Sequence, residues 1–428
     1  MAVSKEIVKA CMADLRNSIM EADIVKRDVD FESNGCYVFV GVRHAGKSYL
    51  LYQRALELLH DGHSWDELIC IDFDDERLVE FTASDFNTLL EIHYEQSEKK
   101  PILFLDEAQR IDGWELFARR MANQKITTYI TGSNAKALSA EIATALGGRY
   151  FIQDVYPYSF SEFLRSKNVE LAKDWEYSTK ERGRVVSLYD EYTRYGGLPE
   201  MSDFTHKRAR LNSLFQKIYL GDICARHKVQ NAHALNIMIK KLAESVKQPV
   251  SFNRICNIVA STGCKSSLPT IIDYMDYAVE SWLILPVQNY VAKLAEKESN
   301  RKYYFVDSGL LNLFLLNQDT ALLENQVAIH LCRIYGKENV CFANDGNNEI
   351  DFVVEDHKLA IQAAYSLDDE QSKERELKPL SRFLKAHPDW QCLIITNDTE
   401  GDYSYNDKTI HALPAWKWFL GLRNFFTT

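Results

Sequence analysis

The chain has 428 residues, of which 46% are hydrophobic and 26% charged, and its net charge is −11. This length predicts two or three domains, each large enough to bury a core. The negative charge argues against a protein that coats nucleic acid, because phosphate binding needs positive potential. No stretch approaches 18 apolar residues and the N-terminal segment lacks a signal-peptide core, so we expect a soluble, cytoplasmic protein without a membrane partner.

The first 30 residues predict a helix that packs on the domain after it. Apolar residues recur there at near-helical spacing, namely Ile7, Met12, Leu15, Ile19 and Val25. Structural packing is the simplest interpretation of this segment.

Residues 41–48 fit the phosphate-loop pattern G-x-x-x-x-G-K-[ST], between a buried strand at 36–40 and a helical run at 49–59. Gly41 and Gly46 allow backbone turns that side chains would block, so that N–H groups and the helix N-terminus can face phosphates. The alternative is a plain glycine-containing turn, which both flanking elements make less favourable.

ATP and Mg²⁺ are the ligands that this loop predicts. Lys47 is expected to contact the β- and γ-phosphates, and Ser48 to hold the metal. The predicted nucleotide contacts are Gly41, Val42, Arg43, His44, Ala45, Gly46, Lys47, Ser48 and Tyr49.

A second apolar run, residues 101–105, ends in two carboxylates, as a buried parallel strand that opens onto a ligand would. Asp106 is predicted to position Mg²⁺, and Glu107 to polarise the attacking water. Taken alone, paired acids at a strand end are equally consistent with a solvated turn. Together with a phosphate loop, they favour catalysis.

Two further polar residues are candidates for the same reaction. A third strand, residues 127–131, leads to Asn134, whose amide is expected to orient the attacking water; turn chemistry is the alternative. Arg149 follows a glycine pair. In a ring of subunits it would reach the neighbour's γ-phosphate as an arginine finger, but a surface arginine is an equal alternative.

These motifs, with the segment Tyr158-Ser-Phe-Ser-Glu-Phe-Leu164 after them, resemble those of prokaryotic AAA-type ATPases that carry a C-terminal domain of unknown function. The resemblance covers nearly the whole chain and implies an AAA-like core with a helical lid. Within it, residues 195–200 are similar to a lid motif in which Pro199 packs near the adenine. A helix stop followed by a turn is the alternative there.

Positive charge is concentrated in residues 206–306. This segment contains 15 Lys and Arg against 7 Asp and Glu, a balance of +8, so the remainder carries −19. Any contact with duplex DNA should therefore lie here.

The same segment has the pattern of a winged helix. Residues 250–260 and 267–282 predict a helix-turn-helix, and 283–287 and 303–306 predict the strands of a wing around a charged tip. Acidic residues on the second helix, Asp273, Asp276 and Glu280, would repel DNA, so a module for protein packing is an equal alternative. The predicted DNA contacts are Arg254, Lys265, Lys293, Lys297, Arg301 and Lys302.

Residues 307–428 resemble a restriction-endonuclease-like fold. A two-metal nuclease of this type needs an acid on one strand, then an acid and a lysine two residues apart on the next. Asp351 meets the first requirement, but Gln362 and Ala364 stand at the other two positions. We therefore expect a nuclease-like scaffold without nuclease activity.

The sequence thus predicts an α/β protein with a P-loop AAA-like core and helical lid, a winged-helix domain and a degenerate endonuclease-like domain. The predicted segments are 1–30, 31–156, 157–205, 206–306 and 307–428. Mg²⁺-dependent ATP hydrolysis is the expected activity, in a homo-oligomer that forms a ring if Arg149 acts between subunits. A DNA-associated motor is the first hypothesis, a slow nucleotide-dependent switch that binds a protein is the second, and a metal-dependent nuclease is the third.

Overall fold

The computed structural model describes residues 3–132, 146–264, 266–315, 319–405 and 408–421. They form two compact units, residues 1–156 and 157–428. Asn134 and Lys265 lie outside the described residues. None of the helices in the described ranges combines the length and the apolar character needed to cross a membrane.

The first unit contains a five-stranded parallel sheet within its described residues, in the order β2-β3-β4-β1-β5. Its strands are β1 (Cys36–Val40), β2 (Leu68–Asp72), β3 (Ile102–Asp106), β4 (Thr128–Gly132) and β5 (Tyr150–Asp154). Its helices are α1 (Lys5–Glu21), α2 (Lys47–His60), α3 (Phe86–Tyr94) and α4 (Trp114–Asn123). The first four strands are almost wholly buried, as in parallel sheets covered on both faces, and their carboxyl ends share one edge.

Helix α1 packs one face against this unit, as the N-terminal pattern predicts. The Ser4 hydroxyl accepts a hydrogen bond from Ile7 N and caps the helix. The buried face consists of Val8, Cys11, Leu15 and Ile19. Ile7 was predicted to face the core but is 38% exposed, and the helix ends at Glu21, before Val25. The buried stripe therefore starts one residue later than the spacing suggested.

The second unit is built on a nine-stranded mixed sheet among its described residues, in the order β13-β14-β12-β11-β10-β9-β7-β8-β6. The strands are β6 (Val250–Ser251), β7 (Ile284–Asn289), β8 (Asn300–Phe305), β9 (Val340–Asn344), β10 (Glu349–Val354), β11 (Leu359–Ala364), β12 (Gln391–Thr396), β13 (Gly401–Tyr405) and β14 (Lys408–Pro414). The α-helices are α5 (Phe160–Ser166), α6 (Thr179–Tyr195), α7 (Lys207–Gln216), α8 (Ala232–Glu244), α9 (Phe252–Ser261), α10 (Leu268–Glu280), α11 (Leu294–Ser299), α12 (Ser308–Asn312), α13 (Asp319–Tyr335), α14 (Glu370–Ala386) and α15 (Ala415–Phe419).

The helix pair and the hairpin predicted from the basic segment are both present, as α9–α10 and β7–β8. Strand β6 pairs with the other side of β8 and completes three strands. The charged tip is not a simple loop, because α11 forms within it. Strand β7 also pairs in parallel with β9, so the predicted boundary near residue 306 crosses a continuous sheet.

A buried carboxylate holds the turn after α6. Asp307 accepts hydrogen bonds from Gly197 N at 2.8 Å and from Leu310 N at 3.1 Å. Gly196 has φ +77°, and a Cβ there would lie 2.0 Å from the Asp307 carboxylate. The glycine pair at the predicted lid motif therefore allows the backbone to approach the Asp307 carboxylate closely.

Asp307 gives the stability of this unit a pH dependence. Burial raises its pKa from the ordinary 3.8 to about 6. The folded chain therefore holds this proton more tightly than the unfolded chain, and stability falls as pH rises from about 4 to 6. Between pH 5 and pH 8, wild type should lose about 1 kcal/mol relative to Asp307→Asn, which cannot ionise. Urea unfolding of both proteins at the two pH values measures this difference, and a difference independent of pH would contradict it.

Candidate functional site

The phosphate-loop pattern lies between β1 and α2, where a strand gives way to a helix. Gly46 caps α2 at φ +91°, a conformation that residues with a Cβ rarely adopt. His44, two residues earlier, also has positive φ, at +63°. The loop therefore makes the turn required for a helix N-terminus to meet an anion.

Gly41 is required for a different reason from the one that the sequence suggested. It does not adopt a left-handed conformation. Instead, a Cβ at this position would lie 2.1 Å from the carbonyl oxygen of Val155. Gly41 thus permits the loop to pack against the chain that leaves β5.

The base of the loop is held by a buried arginine that the sequence analysis missed. Arg27 donates to Ala45 O at 2.9 Å and to Tyr156 O at 2.6 Å, and its backbone N–H donates to Gln53 Oε1 at 2.7 Å. These bonds join three distant parts of the first unit. A single charged residue in an otherwise irregular segment carries no pattern that would have revealed this role.

Lys47 lies inside the loop rather than in solvent. Its side chain is buried, and Nζ donates to Gly41 O at 3.2 Å and Val42 O at 3.1 Å. Phosphate oxygens are charged acceptors and bind an ammonium more strongly than carbonyls do. The lysine is therefore placed to exchange these carbonyls for a phosphate.

The other predicted nucleotide contacts differ in what they can offer. The side chains of Val42 and Ala45 are fully buried, so they present backbone groups to a ligand. Arg43 and His44 are partly exposed, and Tyr49 is half exposed on α2.

Asp106 ends β3 and is buried at the shared edge of the sheet. The Thr131 hydroxyl donates to it, and the Ser48 side chain lies close enough to lower the pKa of the Asp106 carboxyl. Burial, assisted by repulsion from Asp72, raises the pKa of Asp106 to about 7. A divalent cation would favour the ionised form of this carboxyl, so the donor set formed by Ser48 and Asp106 fits Mg²⁺.

Glu107 follows directly, in a left-handed conformation with φ +50°. Its backbone N–H donates to Thr131 Oγ1 at 2.9 Å, and its carboxylate accepts from Gln109 Nε2. Positive φ in a non-glycine residue is uncommon and is found at functional sites. Thr131 therefore links the predicted Mg²⁺ ligand Asp106 to the predicted catalytic residue Glu107, a role that the sequence analysis did not assign.

Asp72 is a third acid of this edge and was also missed. It ends β2 directly opposite Asp106 in the parallel register. Burial raises its pKa, with further repulsion from Asp74 and Glu107. The apolar run at 68–71 that ends in Asp72 was the available signal, since it repeats the pattern of β3.

The remaining candidates of the nucleotide site stay predictions. Arg149 is exposed, and its guanidinium donates to Leu146 O and Gly147 O at 3.3 Å each. Pro199 begins a short 3₁₀ helix, Pro199–Ser202, in the second unit. Asn134 lies in the part of the chain that is not described.

The predicted DNA contacts are unevenly available. Arg254 and Lys293 are exposed, and Lys297 is half-buried. Arg301 donates to Lys297 O at 2.9 Å and forms an ion pair with Glu298. Lys265 is outside the described ranges.

The prediction that Lys302 contacts DNA is wrong. Its side chain is fully buried and forms ion pairs with three carboxylates, so it cannot contact a phosphate backbone. The prediction was wrong because Lys302 begins the continuously buried part of β8, residues 302–305, beyond the charged tip.

Two family models match the chain. Residues 33–164 match an AAA domain, and residues 186–321 match a domain of unknown function (DUF8612). The first match contains the loop at 41–48 and both acids at the end of β3. The chain therefore carries a P-loop ATPase domain of the AAA type.

Relatives extend over almost the whole chain. The uncharacterized protein MJ1544 of Methanocaldococcus jannaschii is 32% identical over 416 residues, which cover 94% of this chain and 92% of the relative. An uncharacterized protein of Haemophilus influenzae is 32% identical over 363 residues, covering 82% and 87%. Among solved structures, the Walker-type ATPase paby2304 of Pyrococcus abyssi is similar at 14% identity with a TM-score of 0.40, covering 72% of this chain and 95% of that one. The chain belongs to the family of MJ1544, with an AAA domain followed by a domain of unknown function.

Proposed function

We propose that this protein binds ATP with Mg²⁺ and hydrolyses it. One observation carries the proposal: Lys47 lies buried within the phosphate loop, between Gly41 O and Val42 O, and the neighbouring Ser48 side chain lies close enough to Asp106 to lower the pKa of that carboxyl. This proximity supports a shared role for Ser48 and Asp106, the two residues predicted separately as Mg²⁺ ligands. The AAA domain match over both motifs supports the same activity.

The side chains around this contact have distinct roles in the proposal. Lys47 binds the β- and γ-phosphates, and Ser48 with Asp106 holds Mg²⁺, which neutralises phosphate charge when it is bound. Glu107 accepts a proton from the attacking water. Thr131 keeps Asp106 and the backbone of Glu107 in register.

Three further roles belong to the proposal on sequence grounds. Asn134 orients the attacking water, and Pro199 packs near the adenine. Arg149 acts on the γ-phosphate of a neighbouring subunit in a homo-oligomer. Its position just before the edge strand β5 supports access to a second copy.

Steady-state hydrolysis of ATP by the full chain tests the activity. We expect phosphate release with Mg²⁺ and none with EDTA. Hydrolysis that is unaffected by EDTA would contradict the roles of Ser48 and Asp106.

Duplex DNA is the first partner that we propose, through residues 206–306. In chain order, this segment contains helix α8, strand β6, helices α9 and α10, and strands β7 and β8, and the three strands are neighbours in the sheet. This arrangement supports a winged-helix module. The +8 charge balance and the exposed cations Arg254 and Lys293 support contact with phosphates.

A protein partner is the second candidate, and a specific observation favours it. Asp273 and Asp276 lie on the exposed face of α10, the helix that would enter a major groove. Carboxylates there repel phosphates and would suit a basic protein surface. In this alternative, slow hydrolysis switches the protein between partner-bound and free states.

ATP hydrolysis with and without duplex DNA distinguishes the two. If DNA is the partner, hydrolysis rises several-fold at low salt, the rise disappears at high salt, and the double change Arg254→Glu and Lys293→Glu removes it. The control Lys385→Glu, an exposed residue outside the basic segment, should leave the rise intact. A slow rate that is indifferent to DNA in all variants would support the protein-binding switch.

A further inference from the structure

A buried cluster of charged side chains lies in the second unit, around Lys302, the lysine that was predicted to contact DNA. Lys302 Nζ lies 3.3 Å from Glu324 Oε1, 3.1 Å from Glu349 Oε1 and 3.2 Å from Asp351 Oδ1. The carboxylates come from α13 and β10, and the lysine comes from β8. The ammonium donates hydrogen bonds to Glu324 and Asp351 and forms an ion pair with Glu349, so its charge is shared among three carboxylates.

The surroundings fix the carboxylates in place. Tyr304 OH donates to Glu324 Oε1 at 2.8 Å, and Ala363 N donates to Asp351 Oδ2 at 3.1 Å. Gln362 accepts from Asp351 N at 2.7 Å and donates to Glu376 at 3.1 Å. Asn344 Nδ2 donates to Glu349 Oε2 at 3.2 Å, so each of the three carboxylates has a second partner besides the lysine, which is the condition for a buried charge network to be stable.

The resemblance to a restriction-endonuclease-like fold implies that Asp351 of this cluster stands where a two-metal nuclease would have its first acid. In the sequence pattern, Asp351 is the first acid. Gln362 stands at the position of the second acid, and Ala364 stands at the position of the lysine. The structure supplies the lysine from another strand, but it points between the acids. Its side chain is 0% exposed and that of Glu324 is 4% exposed, so a phosphodiester could not reach either group.

We propose that the Lys302 ammonium is the resident cation of this cluster and takes the place that a metal ion holds among acids in metal-dependent hydrolases. The cluster is an electrostatic core that joins β8, β10 and α13, with the 43% exposed Glu349 side chain at its solvent side, and the chain binds no divalent cation there. The N–O distances of 3.1 to 3.3 Å are those of ion pairs, slightly longer than the about 2.7 to 2.9 Å of the strongest charge-assisted hydrogen bonds. Lys302 then supplies the positive charge that a lysine at position 364 would have, but it does not supply the catalytic function of such a lysine.

The same geometry predicts a strong coupling between Lys302 and Asp351. Lys302→Met leaves buried carboxylates without their cation and should lower the midpoint of thermal unfolding by about 10 °C. Adding Asp351→Asn to that variant removes one uncompensated charge and should recover a substantial part of the loss. The control Lys378→Met breaks an exposed ion pair with Glu374 on α14 and should shift the midpoint by no more than about 3 °C.

A measurement on the wild-type chain tests the absence of a metal independently of any unstable variant. Mn²⁺ binding without nucleotide, followed by titration calorimetry, should have the same stoichiometry in wild type and in Asp351→Asn. A bound equivalent that Asp351→Asn removes, or plasmid cleavage that depends on Asp351, would overturn the proposal. Equal losses in the two Lys302 variants, with and without Asp351→Asn, would also overturn it, because the lysine would then contribute packing alone.

Discussion

Glu107→Gln should lower steady-state ATP hydrolysis at least 100-fold while leaving ATP affinity nearly unchanged. The carboxylate is the proposed acceptor of the proton from the attacking water, and an amide of the same shape cannot take up that proton. Binding should survive because the phosphate contacts come from the loop at 41–48. The Glu107 backbone bond to Thr131, which aligns Asp106, does not depend on the side chain.

Phosphate release and equilibrium binding of a fluorescent ATP analogue measure the two quantities separately. Glu115→Gln makes the same chemical change on α4 and should leave both quantities near wild type. If Glu107→Gln keeps more than half of the activity, another group activates the water. Asp72, opposite Asp106 on β2, would then be the next residue to change.

Gly41→Ala should reduce the free energy of unfolding by about 3 kcal/mol and weaken ATP binding. A methyl group at this position would lie 2.1 Å from Val155 O, so the loop or the chain after β5 must move. The movement changes Gly41 O, which Lys47 Nζ contacts at 3.2 Å. Urea unfolding and nucleotide titration measure the two effects.

The matched control is Gly183→Ala, on the exposed face of α6. A Cβ there meets nothing within 4 Å, and the residue is inside a helix. Alanine should therefore stabilise the chain by roughly 0.5 to 1 kcal/mol, the opposite sign to the effect at Gly41. If both substitutions have the same small effect, the packing of Val155 on the loop is not the reason for glycine at position 41.

Local signals in the sequence predicted much of the nucleotide site. The strand at 36–40 is β1 with the same bounds, and of the acids after the run at 101–105, Asp106 ends β3 and Glu107 follows it. Strand and helix patterns in the second unit, such as 349–354 and 359–364, also match β10 and β11. These features depend on periodicity and on turn residues within a few positions, which a sequence displays directly.

Contacts between distant residues were not predictable in this way. The opposition of Asp72 and Asp106 depends on which strands become neighbours, and the bonds of Arg27 depend on where the chain returns after β5. A lone aspartate or arginine looks the same in a sequence whether it is solvated or buried, because burial is a property of the assembled core.

Local sequence patterns were enough to predict the phosphate loop, the two acids at the end of β3 and several strands, such as those at 36–40, 349–354 and 359–364, since each depends on local backbone preference and short spacing. The role of Lys302 became visible only in the folded chain. Its charge and its place in the basic segment predicted a contact with DNA, whereas the sheet brings it among three carboxylates. The tertiary structure also decided why Gly41 must be glycine. Both outcomes depend on which distant atoms share a buried volume, and long-range packing sets that after the local elements have formed.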